Sequence, residues 1–246
     1  MHDWIFPDWP VPSRVKALFT TRNNGVSGAP YASFNLGGHV GDDPARVEQN
    51  RALLRSFLPE DPSWLNQVHG TTVIDAGARR AGIPEGDAVF TRQRANVCAI
   101  LVADCLPILF CDRKGTIVGL MHAGWRGLAA GIIQRTISMI DLPGSQLMAW
   151  LGPAIGPDRF EVGEEVRNIF IRRDSKSARA FVRPAAGDNS DKWLADIFLL
   201  TRQQLMDAGI TEIHGGGVCT YNDPARFFSY RRDGVTGRMA GLIWLT

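Results

Sequence analysis

Apolar residues along this chain fall in short runs broken by glycine- and proline-rich turns, with helical spacing in only a few windows. Residues 15–20 alternate and predict an early strand. Residues 22–41, rich in Gly, Asn and Ser, predict a long loop, and loops of that length in compact proteins tend to carry function. Asp43-Pro44 supplies an N-cap and an N1 proline for a helix that ends near Leu58. Its apolar face is Val47, Leu54 and Leu58, with Leu53 and Phe57 alongside. Residues 64–68 and 71–75 are short strand candidates around Gly70, and residues 79–86 are a polar connection. Further on, Leu147–Leu151 predicts a strand that runs into the turn Gly152-Pro153-Ala154-Ile155-Gly156-Pro157. Residues 164–171 and 195–208 predict helices, and Met239–Leu245 a terminal strand. Residues 172–191 are polar and are expected to form a mobile insertion.

The middle of the chain carries the sharpest pattern. Residues 97–103, 108–111 and 116–121 are three apolar, partly β-branched runs. Their connections, Asp104 to Pro107 and Asp112 to Gly115, are too short for a parallel return. A three-stranded antiparallel meander, buried on both faces, is therefore expected, followed by a helix opening at residues 124–127 and running to about Ile140. Helices and antiparallel strands interleave without a regular βαβ rhythm, which predicts an α+β fold with a mixed or antiparallel sheet.

That meander would bring Cys105 and His122 to the same end of neighbouring strands, about 4.8 Å apart. Both residue types ligate metals, and a catalytic site needs a third ligand with one position left open. Among the remaining histidines, His2 lies at the terminus and His214 precedes three glycines. His69, at the end of a strand candidate and before a tight turn, is the best third ligand, only modestly ahead of His39 in the glycine-rich loop, which stays open. Two other features bear on ligands. The segment His122-Ala123-Gly124-Trp125-Arg126-Gly127 leads from strand to helix, where free N–H groups and the Arg126 cation suit a phosphate. The segments Cys219-Thr220-Tyr221 and Phe227 to Arg232 put aromatic rings beside hydroxyls and arginines, suited to a planar heterocycle and a sugar.

Composition narrows the class. The 246 residues are 45% hydrophobic and 21% charged, which excludes a disordered chain and fits one domain spanning residues 1–246. A formal charge of +2 argues against an electrostatic nucleic-acid binder. The most apolar stretch, residues 97–110, is interrupted by Asp104 and Pro107, so no membrane span is expected. The four cysteines include no C-x-x-C pair, and with no signal-peptide pattern at the N-terminus a cytoplasmic protein with reduced thiols is expected.

Several motifs stand together in order: Asn35-Leu36-Gly37, Trp64-Leu65-Asn66-Gln67-Val68-His69-Gly70, Ala103-Asp104-Cys105-Leu106-Pro107, His122 to Gly127, Gly152 to Pro157, Phe228-Ser229-Tyr230-Arg231-Arg232-Asp233 and Gly237-Arg238-Met239-Ala240. In these the chain resembles the YfiH family, also called the laccase-domain or polyphenol-oxidase family, over nearly its whole length. The resemblance implies a four-layer α-β-β-α sandwich with mixed, largely antiparallel sheets, acting as a monomer. It implies a zinc site from His69, Cys105 and His122. It further implies purine nucleoside phosphorylase activity on adenosine, inosine and methylthioadenosine, with phosphate as co-substrate, and adenosine deamination beside it. Asp158-Arg159 and Asn222 stand where some relatives carry cysteines, which argues against extra thiol ligands.

Within that frame Asp104 is a candidate catalytic group beside the ligands, either near the sugar or as a partner of a ligating histidine. Arg126 is the candidate phosphate contact, and Asn35, Gln67, Tyr221 and Ser229 are candidate substrate contacts. The H-x-E and P-C-x-x-C deaminase signature is absent, so deamination would need another base, with Asp104 nearest. Two His and one Cys also match a blue-copper set with Met as axial ligand. Met121 adjoins His122 but should point to the opposite face of its strand, which favours zinc over copper. A zinc amidase editing nucleotide-linked peptidoglycan precursors, a copper-dependent polyphenol oxidase and a non-enzymatic metal-binding module are the alternatives.

Overall fold

The computed structural model describes residues 2–78, 82–184 and 191–246. In chain order the first half comprises β1 (Val15–Phe19), α1 (Pro44–Arg55), β2 (Pro62–Ser63), β3 (Val73–Asp75), β4 (Ala88–Thr91), β5 (Val97–Val102), β6 (Leu106–Asp112) and β7 (Val118–Ala123). Then follow α2 (Trp125–Ala130), α3 (Ile132–Ile140), β8 (Leu147–Leu151), β9 (Glu161–Gly163), α4 (Glu164–Arg173), β10 (Phe181–Val182) and β11 (Lys192–Ala195). The chain closes with α5 (Ile197–Asp207), β12 (Glu212–Gly215), α6 (Tyr230–Asp233) and β13 (Met239–Leu245).

Two sheets dominate. One has the order β1-β13-β5-β2, the other β12-β8-β6-β7-β4-β3, and a small sheet β10-β11-β9 stands beside them. Neighbours are antiparallel except at β2–β5, β3–β4 and β8–β12. Three separate apolar cores account for four layers. Ile100, Val102 and Ile243 of the first sheet meet Leu109, Val118 and Leu120 of the second. The outer face of the second sheet, with Ile108, Phe110 and Met121, packs on Leu128, Ile132 and Ile133 of α2 and α3 and on Phe170 of α4. The outer face of the first, with Leu18, Leu101 and Leu242, packs on Leu54 of α1 and on Phe34 and Leu36 of the loop that precedes it. Alternation along each strand sends successive side chains into different cores, so both sheets are buried on both faces. This is the α-β-β-α sandwich with mixed sheets that the motifs implied.

The expected meander is corrected. β6 and β7 form the antiparallel hairpin, with Leu106 opposite Ala123 and Pro107 opposite His122. β5, however, pairs with β13 and β2 in the other sheet. The short 103–105 connection crosses from one sheet to the other, and Asp104 at φ +85° makes the corner. A short connection excludes a parallel neighbour in the same sheet, but it equally permits a step between stacked sheets. The helix expected from 124 to 140 is two helices, broken where Gly131 takes φ +93° and caps α2.

Other differences are local. Asp43 caps α1 as expected, accepting from Ala45 N–H at 2.9 Å, but the helix ends at Arg55 and buries Val47, Asn50 and Leu54, with Leu53 and Phe57 exposed. Residues 64–68 form no strand; Asn66 makes one bridge to Glu85. Much of the expected insertion at 172–191 is regular, with α4 reaching Arg173, a 3-10 turn at Ser175–Ala180 and β10 following; residues 185–190 lie outside the described residues, as do 79–81 of the polar connection. No helix is long and apolar enough to cross a membrane among the described residues.

Candidate metal centre

Three elements converge where the chain changes sheet. Cys105 lies one residue before β6, His122 lies near the end of the adjacent β7, and His69 sits in the turn before β3. Their ligand atoms all lie within 4.8 Å of one another. Cys105 Sγ is 3.8 Å from His69 Nε2, and the two imidazole rings stand 4.7 Å apart at 69°. His69 holds its place with φ +60°, an uncommon conformation for a residue with a Cβ.

Asp87, fully buried one residue before β4, explains that conformation. Its Oδ1 accepts from His69 N–H at 2.9 Å and pairs with His122 Nδ1 at 2.8 Å. Its Oδ2 accepts from Gly70 N–H at 2.7 Å and Val68 N–H at 3.2 Å. One carboxylate thus shapes the His69 turn and fixes the ring of His122, leaving His122 Nε2 as the free donor atom. This is the carboxylate–histidine arrangement that orients metal ligands. Burial pushes the Asp87 carboxyl up, but the His122 hydrogen bond and the backbone N–H groups outweigh it and hold it below the ordinary carboxylate range.

Between the protein groups alone, Cys105 and His122 favour a thiolate–imidazolium pair. Burial pushes the Cys105 thiol up, yet the charge and hydrogen bond of His122, with His69 adding to them, bring it down to about 6. Burial pushes His122 down, and the Cys105 charge and the Asp87 hydrogen bond raise it to about 9. A thiolate and two imidazoles with one oriented ring is a donor set suited to zinc or copper. The surroundings are shaped for it: a Cβ on Gly124 would stand 3.0 Å from His69 Cδ2 and 3.1 Å from Cys105 Sγ. Met121 packs into the helix-side core, on the opposite face from His122 as expected. Among the described residues this is the one group of three or more such side chains that could hold a metal ion.

The three residues line a cavity of about 420 Å³ together with Gln67, Arg126, His39, Tyr230 and Arg238. The expected residues divide sharply. Arg126 is in the cavity, its guanidinium 4.3 Å from the Trp125 ring. Gln67 is there too, but its carboxamide is paired with β5, donating to Leu101 O and accepting from Leu101 N–H, both at 2.8 Å. Asp104 is turned into the frame: it accepts from Thr220 Oγ at 2.6 Å and from Arg231 N–H at 2.7 Å. Asn35 is fully buried and accepts from Gly37 N–H and Arg238 N–H, each at 2.9 Å. Ser229 is also buried and caps α6 through Arg232 N–H. Tyr221 lies outside the cavity lining, beneath the Arg159 guanidinium at 5.2 Å.

Sequence reasoning passed over Asp87, Tyr230 and Arg238 as site residues and kept His39 only as an alternative ligand. Arg238 and Tyr230 stood inside quoted motifs, so a signal existed. Asp87 offered only a lone acid at the head of a buried strand. Burial, followed by the positive charges of Arg238 and Arg51, holds His39 below the ordinary imidazole range.

The layered fold and this donor group define the class. Residues 16–246 match the model of the family described as multi-copper polyphenol oxidoreductase laccase. The chain belongs to that family, the YfiH laccase-domain family. It is 52% identical over 245 residues to a Pseudomonas aeruginosa protein named purine nucleoside phosphorylase, covering 100% of this chain and 99% of that one. It is 48% identical to the Escherichia coli purine nucleoside phosphorylase YfiH, covering 100% of both. The crystal structure of Neisseria meningitidis NMB0706, a DUF152 protein, superposes with a TM-score of 0.93 at 47% identity over 99% of each chain.

Proposed function

We propose that this chain is a zinc-dependent purine nucleoside phosphorylase, taking adenosine and inosine to the free base and ribose 1-phosphate and methylthioadenosine to adenine and methylthioribose 1-phosphate, with adenosine deamination as a second activity of the same site. The observation that carries the reading is one cavity in which a His-Cys-His donor group faces two guanidinium groups and no carboxylate. The names of the Pseudomonas and Escherichia relatives support the substrate class.

A metal ion bound there would supply Lewis-acid chemistry toward an oxygen of the substrate. His69, Cys105 and His122 would hold it, and Asp87 keeps the His122 ring oriented. Arg126 places positive charge where the phosphate and the developing ester would lie. The cavity volume of about 420 Å³ suits a nucleoside-sized ligand. Asp104 acts through the frame, holding the corner that presents Cys105 by its bonds to Thr220 and Arg231. With one donor group among the described residues and Met121 facing away, the site favours zinc over a multicopper centre.

The test is to incubate zinc-loaded protein with adenosine, with and without phosphate, and separate the products. Adenine and ribose 1-phosphate formed only with phosphate, and lost in Cys105→Ala, are the expected result. Inosine formed without phosphate reports the deaminase. Adenosine left intact by protein of full zinc content refutes the reading.

A further inference from the structure

Two of the motifs read from the sequence, Asn35-Leu36-Gly37 and Gly237-Arg238-Met239-Ala240, supply no ligand to the metal centre. The structure joins them into one device. Asn35 Oδ1 accepts from the backbone N–H of Arg238 at 2.9 Å, and also from Gly37 N–H at 2.9 Å. The Arg238 stem lies against Gly37, where a Cβ would stand 2.8 Å from Arg238 Cγ. The head of the side chain is fixed as well: Nη1 donates to Thr236 O at 2.9 Å and to Gly237 O at 3.0 Å. Those bonds occupy one nitrogen of the fork and leave Nε and Nη2 for the cavity that Arg238 lines.

No carboxylate forms an ion pair with this guanidinium, although the charges of Cys105 and Asp104 act on it. Arg238 makes no ion pair among the described residues, and neither does Arg126. No Asp or Glu lines the cavity. A half-buried guanidinium held rigid, with no ion-paired carboxylate, facing a cavity that contains a second guanidinium with no ion pair, is suited to an anion brought in from solution. Its planar fork matches the oxygens of a tetrahedral phosphoryl group.

We propose that Arg238 is a binding residue for a phosphoryl oxyanion in the metal-centre cavity, positioned by Asn35 and Gly37 and acting with Arg126. This deepens the phosphorylase reading, under which the anion is inorganic phosphate. The same chemistry serves a phosphoryl group carried on the nucleoside, as in AMP.

The test measures binding directly. Zinc-loaded protein is titrated calorimetrically with inorganic phosphate and, separately, with AMP, for the unmodified chain and for Arg238→Gln, Arg238→Lys and Arg126→Ala. Circular dichroism and zinc content report that each variant is folded and loaded. Loss of a charged hydrogen-bond partner predicts phosphate binding weakened about 10- to 100-fold in Arg238→Gln, with partial recovery in Arg238→Lys. If Arg238→Gln weakens AMP and leaves phosphate unchanged, the anion is the one carried on the substrate. Binding of both within twofold of the unmodified chain in folded Arg238→Gln overturns the proposal, as does failure of the unmodified chain to bind either. Product analysis with adenosine is independent of these titrations: anion binding through Arg238 without phosphorolysis keeps this inference and rejects the phosphorylase reading. Phosphorolysis with an unchanged phosphate KM in Arg238→Gln does the reverse.

Discussion

Asp87→Asn is the most searching single change, because four donors converge on that carboxylate. Oδ1 takes His69 N–H and His122 Nδ1; Oδ2 takes Gly70 N–H and Val68 N–H. A carboxamide keeps one oxygen. Whichever way it is turned, its NH2 end faces two of the four donors. Two buried donors left unpaired, at about 1–3 kcal/mol each, give a destabilisation of about 2–6 kcal/mol. Loss of the charged partner on His122 lowers metal affinity about 10- to 100-fold. Urea unfolding of the chelated protein measures the first quantity, and competition with a chromophoric zinc chelator measures the second. Because Asp87 is held below the ordinary carboxylate range, the stability it contributes is present above the unfolded-state value of about 4 and is lost as pH falls through the lower folded value. The Asn variant should therefore lose the acid limb of that dependence. A variant within 1 kcal/mol in stability and within threefold in zinc affinity would refute the view that one carboxylate sets both histidines.

Two further outcomes follow from the same geometry. Gly124→Ala places a methyl 3.0 Å from His69 Cδ2 and 3.1 Å from Cys105 Sγ, so zinc affinity should fall at least about tenfold with little change in the far-ultraviolet spectrum; unchanged affinity would mean the ligands shift freely. In chelated protein, Cys105 should be alkylated by iodoacetamide with a midpoint near pH 6, the thiolate being present above that value and lost below it. Cys98 and Cys111, buried with thiols pushed up by desolvation, should stay unmodified at pH 7, and added zinc should protect Cys105; peptide mapping by mass reads all three.

The elements that were legible in the sequence are those set by local signals. Asp43-Pro44 announces α1, and the apolar runs announce β5 to β8 and β13. The sheet to which β5 belongs was not legible, because an apolar run buried on both faces looks the same whether its neighbour lies beside it or beneath it. Cys105 and His122 still came out together, since that inference needed only the β6–β7 hairpin. His69 was settled as the third ligand by the family motifs, which fits a residue whose position depends on an acid 18 positions further on. Asn35, Gln67, Asp104 and Ser229 show the opposite limit. Each is a polar residue in a motif, and each spends its hydrogen bonds on backbone or framework groups, a use that spacing alone does not distinguish from contact with a ligand.

The turn that carries His69 is fastened twice, to β5 of the first sheet through Gln67 and to the second sheet through Asp87. Cys105 sits on the strap that passes between the same two sheets. An ion gripped by His69, Cys105 and His122 is therefore a clasp across the seam of the sandwich, and the unfolded chain has no such grip. By mass action a ligand present at a thousand times its Kd adds about 4 kcal/mol to the folded state. Metal bound there would thereby add to how firmly the two sheets hold together.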